Sequence, residues 1–83
     1  MRWLEEVAHA ALSLLTFGQV VEAGQNFGLD FFDLSPERLV SERVVIYKAR
    51  YGTWVVAYRG IHEAVQTREE LLAALGRATR PTG

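Results

Sequence analysis

An α+β fold is what this sequence predicts, on three observations. Apolar residues recur at helical spacing near the N-terminus. Two runs of β-branched and aromatic residues flank Tyr51-Gly52, and a capping box at Thr67 opens a final amphipathic stretch. The expected order is a long N-terminal helix, a short second helix, an antiparallel β-hairpin with room for a third strand, and a C-terminal helix.

The first helix is expected over residues 2–23. Leu4, Val7, Ala8, Ala11, Leu12 and Leu15 share one face, and Glu5 and Glu6 favour the positive end of the helix dipole. Gly18 is a weak point in this pattern and Gly24 a natural stop. An irregular connector follows, with Phe27, Leu29, Phe31 and Phe32 between glycines. Its segment Gly28-Leu-Asp-Phe-Phe32 resembles the Gln-Leu-Asp-Leu-Phe peptides that bind bacterial sliding clamps, although it lacks the leading Gln and the second Leu. The ordinary role of such phenylalanines is to extend a small core. Ser35-Pro36 reads as an N-cap followed by proline at the first helical position, which predicts a short helix over 36–42.

The hairpin comes next, with strands over 43–50 and 53–59. Two registers are open. A three-residue loop, Arg50-Tyr51-Gly52, pairs Val44 with Tyr58, Ile46 with Val56 and Lys48 with Trp54, and leaves Val45, Tyr47, Val55 and Ala57 on the other face. A two-residue turn at Tyr51-Gly52 would instead gather Val45, Tyr47, Trp54, Val56 and Tyr58 on one side. The longer loop is preferred, because the tighter turn asks a bulky tyrosine for a positive φ, at about 1 kcal/mol. In that register both faces are apolar, so the sheet needs cover twice. Gly60 ends the second strand, and Ile61–Gln66 has the makings of a third. Thr67-Arg-Glu-Glu70 then opens the last helix, with Leu71, Leu72, Ala74 and Leu75 inward, Gly76 as its stop and a frayed tail over 77–83.

Size and composition narrow the function. A chain of 83 residues makes one domain, expected over 1–83, and one this small buries only about 60% of the surface its unfolded form exposes. Yet 49% of its residues are apolar, a surplus that a second copy or a partner would cover. Cysteine is absent, which removes disulfides, thiol nucleophiles and thiolate metal sites and fits a cytoplasmic location. The least charged run, Ala8 to Val21, is too short for a bilayer, which takes roughly 20 apolar residues. His9 and His62 have no ligand spacing around them, so neither a metal nor a cofactor is expected. Ser13, Ser35 and Ser41 sit in no nucleophile context, and no glycine-rich phosphate loop follows a strand, so no catalytic residues are expected.

Charge is distributed unevenly. Residues 1–42 carry seven acids against Arg2 and Arg38, whereas residues 43–62 carry Arg43, Lys48, Arg50 and Arg59 with no acid. The expected activity is therefore that of a non-enzymatic protein-interaction module, an adaptor, inhibitor or accessory subunit. It would bind a protein partner or form a homodimer through its apolar and basic hairpin. The partner-binding candidates are Tyr47, Lys48, Arg50, Tyr51, Trp54, Tyr58 and Arg59, with the aromatics as anchors. The alternative is a small nucleic-acid-binding protein using the hairpin over 43–59. A net charge of −1 argues against that alternative.

Overall fold

The computed structural model describes residues 15–81, which form two helices and a five-stranded antiparallel sheet. The helix α1 (Phe17–Asn26) leads into strands β1 (Asp33–Ser35), β2 (Arg38–Val40), β3 (Val45–Lys48), β4 (Trp54–Tyr58) and β5 (Ile61–Val65), and α2 (Arg68–Ala78) follows. The sheet is a meander: strands lie side by side in chain order. Among the described residues no helix is long and apolar enough to cross a membrane.

The α+β class holds, but the first helix differs from the one expected. Within the described residues it starts at Phe17, because Thr16 takes extended dihedrals and forms a capping box with Gln19. The Thr16 hydroxyl accepts from the Gln19 amide at 3.1 Å, and the Gln19 side chain accepts from the Thr16 amide at 2.9 Å. The expected helical stretch over 2–14 lies outside the described residues. Gly24 is not a stop either: the helix runs on to Asn26, and a Cβ at Gly24 would overlap the Phe31 ring. This glycine admits the connector's aromatics to the core. Phe27, Leu29 and Phe31 pack there, while Phe32 stands out into solvent.

The short helix over 36–42 is replaced by the β1–β2 hairpin, with Ser35 paired to Arg38 across Pro36-Glu37. Serine then proline suits the first two positions of a β-turn as well as it suits a helix start. The choice falls to the turn because β2 then pairs with β3, setting Leu39 against Ile46, both with no exposed surface. The β2–β3 connection is pinned by buried Ser41, whose hydroxyl donates to the Val44 carbonyl at 2.6 Å and accepts from the Val44 amide at 3.2 Å.

The β3–β4 hairpin adopts the three-residue loop, with Ile46 opposite Val56 and Lys48 opposite Trp54. Gly52 supplies the left-handed φ of +74° that this loop needs. The third strand forms as β5, joined to β4 by a two-residue turn in which Arg59 and Gly60 both have positive φ. The capping box at Thr67 opens α2, its hydroxyl accepting from the Glu70 amide at 3.1 Å. Gly76 does not end that helix, which runs two residues further. Arg77 and Ala78 are helical, Ala78 is buried, and Thr79 caps the end with its hydroxyl on the Leu75 carbonyl.

Candidate functional site

Side chains alternate across a strand, so register sorts this sheet into two faces. Leu39, Val44, Ile46, Trp54, Val56, Tyr58 and Val65 point to one face and are buried with Val20 and Ala23 of α1 and Leu71, Ala74, Leu75 and Ala78 of α2. Both described helices pack on this side. The other face carries two cross-strand rows. One runs Val40, Val45, Ala57, His62, and the other Arg38, Tyr47, Val55, Ala64. Val40, Val45, Tyr47, Val55 and Ala57 stay half-buried and Ala64 is exposed, with neither described helix over them. At the β1 margin, the exposed Asp33 and Arg38 form an ion pair at 3.5 Å.

The seven residues singled out from the hairpin do not converge. Trp54 is only 1% exposed and its indole N–H donates to the Leu15 carbonyl at 3.4 Å. Tyr58 is buried as well. These two aromatics therefore belong to the core rather than to an interface, because the helices fall on their side of the sheet. Tyr47 lies on the open face. Lys48 and Arg50 are exposed at the β3–β4 end, where Tyr51 lies in the turn, while Arg59 is exposed in the β4–β5 turn at the opposite end. Arg43 also lies at that opposite end, in the β2–β3 connection, so the basic residues form two separate groups rather than one continuous strip. Val40 and Ala64 complete the open face but were not among the candidates. Val40 was hidden by the helical reading of 36–42, whereas Ala64 followed from extending the hairpin's alternation by one strand.

Beside the covered face, Tyr58, Glu63 and Arg77 form a hydrogen-bonded cluster. The Tyr58 hydroxyl donates to the Glu63 carboxylate. The Arg77 guanidinium donates to the same group through Nε at 3.0 Å to each oxygen and through Nη2 at 2.6 Å. The Arg77 hydrogen bonds hold the Glu63 carboxyl below its ordinary range, and the Glu63 carboxylate raises the Tyr58 phenol. A carboxylate so engaged is a poor proton acceptor. The cluster instead ties β5 to α2. No group of three or more His, Asp or Glu able to hold a metal occurs among the described residues.

A pocket of about 300 Å³ opens beside Phe32, between the connector, the β2–β3 turn and the end of α2. Asp30, Glu42 and Arg43 share its lining with Phe27 and Leu29, a mixture that selects no single ligand chemistry. Comparison of the chain with protein-family models, curated proteins and solved structures finds no match in any of the three.

Proposed function

We propose that this chain is a non-enzymatic protein-interaction module, of the adaptor, inhibitor or accessory-subunit kind, that holds a protein partner on the open face of its sheet. The observation that carries the reading is the contiguous apolar surface of Val40, Val45, Tyr47, Val55, Ala57 and Ala64, opposite a face already covered by both described helices. Burying such a surface contributes roughly 25 cal/mol for each Å² removed from water, and Tyr47 at its middle adds an aromatic anchor with a polar tip. The ion pair of Arg38 and Asp33 supplies a polar rim. The separation of Lys48 and Arg50 from Arg43 and Arg59 disfavours the nucleic-acid alternative, since a phosphate backbone asks for a continuous basic track.

The test is co-purification from the native host with wild-type chain and with Val55→Lys. A stoichiometric protein should accompany the wild type and be lost from the variant, while both melt at the same temperature. A wild-type chain that binds no protein, or a variant that keeps its partner, refutes the reading.

A further inference from the structure

The two margins of the sheet are built differently. β1 has three residues, adjoins Pro36 and carries the exposed ion pair of Asp33. Shortness, proline and charge are the usual protections of a sheet edge. β5 has five residues, Ile61-His-Glu-Ala-Val65, with no proline and no lysine, and among the described residues it pairs only with β4. Tyr58 and Ile61 close the two-residue turn, so they form a hydrogen-bonded pair, and alternation gives the backbones of Glu63 and Val65 to β4 as well. The amides and carbonyls of His62 and Ala64 therefore face outward. Both residues are exposed, and Ile61 is 47% exposed beside them.

We propose that a second copy of this chain adds to β5, the two β5 strands pairing antiparallel about a two-fold axis at Glu63. That register pairs His62 with Ala64 of the partner subunit, so the outward backbone groups exchange hydrogen bonds with one another. It also brings the exposed Ile61 alongside the end of the partner strand, where Val65 is already buried in its own core. Two glutamates meet at the axis, and like charges there would oppose pairing. Each arrives already neutralised by Arg77 of its own chain, whose Nε and Nη2 hold the Glu63 carboxylate. Equal strand length and the exchange of the same outward backbone groups about the two-fold axis fit a second copy, with Arg77 removing the charge obstacle at Glu63. The pairing stands apart from the reading of the open face, because it uses the backbone of one edge, not the side chains of the face.

Residue-resolved amide exchange at rising protein concentration, read beside sedimentation, tests it. The chain should sediment as a dimer at high concentration, and the His62 and Ala64 amides should slow roughly tenfold or more on dimerisation. Those of Ile61 and Glu63, bonded to β4, should be slow throughout. Ala64→Pro removes an N–H that faces away from β4, at an edge position where proline is tolerated, and should weaken dimerisation about thirtyfold. Val55→Lys should leave the dimer intact while abolishing partner binding. A chain that stays monomeric, or a dimer in which His62 and Ala64 exchange as fast as in the monomer, overturns the edge pairing and leaves the open face to its own test.

Discussion

Val55 and Val56 are adjacent and identical in chemistry, yet they occupy opposite worlds. Val56 has no exposed surface and lies beneath the helices, whereas Val55 is half-buried on the side neither described helix covers. The same division separates Trp54 from Tyr47. In this sheet composition alone does not assign a role. Which side of the sheet a residue faces decides whether it is sealed in the core or left partly in solvent.

The largest expected effect is that of Trp54→Ala. Emptying a site this deep costs about 3–5 kcal/mol, enough to unfold many small domains, and it also removes the indole bond to the Leu15 carbonyl. Urea unfolding followed by circular dichroism measures it, and a variant as stable as wild type would place the tryptophan at the surface. Val56→Ala should cost about 2 kcal/mol, from lost burial and an unfilled cavity. Val55→Ala, in the same assay, should cost less, about 1 kcal/mol, since part of its side chain stays in water and truncation there leaves no enclosed cavity. Equal losses at the two valines would show that something covers the second face as well.

The smallest effect depends on pH. Glu63 is held below its ordinary value chiefly by its hydrogen bonds to Arg77, so the folded state favours its charged form. The stabilisation is therefore complete above the unfolded-state value of about 4.3 and is lost as pH falls through the lower folded value. Glu63→Gln should cost stability at neutral pH, and its deficit should shrink between roughly pH 5 and pH 3. Because Arg77 is 49% exposed, solvent screens the pair and the difference should be modest. Thermal melts of both proteins across that range would show parallel curves if Glu63 titrated normally.

The β3–β4 hairpin and the start of α2 were legible from local chemistry, whereas β1 and β2 were not. Gly52 could take the left-handed turn and Tyr51 could not do so cheaply, which selects the loop and hence the register. Thr67 and Glu70 announced α2. Ser35-Pro36 misled because the same dipeptide serves two local structures, and only the pairing of β2 with β3 distinguishes them. Gly24 and Gly76 misled in another way. A glycine marks a helix end only when nothing favours continuing, and Gly24 continues so that Phe31 can approach. The candidate site was half legible. Alternation separated Val45, Tyr47, Val55 and Ala57 from Trp54 and Tyr58, but with apolar residues on both sides it held no sign of which side the helices would take. Large aromatics drew attention to the face that turned out to be covered.

The meander has a kinetic consequence. Because every strand pairs with its neighbour in the chain, each ladder closes a loop of only a few residues, and little chain entropy is spent before hydrogen bonds form. Such a sheet can assemble hairpin by hairpin, with no long-range crossover to await. On the same argument the slower event should be the meeting of its two ends, when α1 and α2, which flank the whole sheet in sequence, come together over it and seal Trp54 beneath Leu15. Mixed α/β topologies of this kind fold at rates between those of helical bundles and those of all-β barrels.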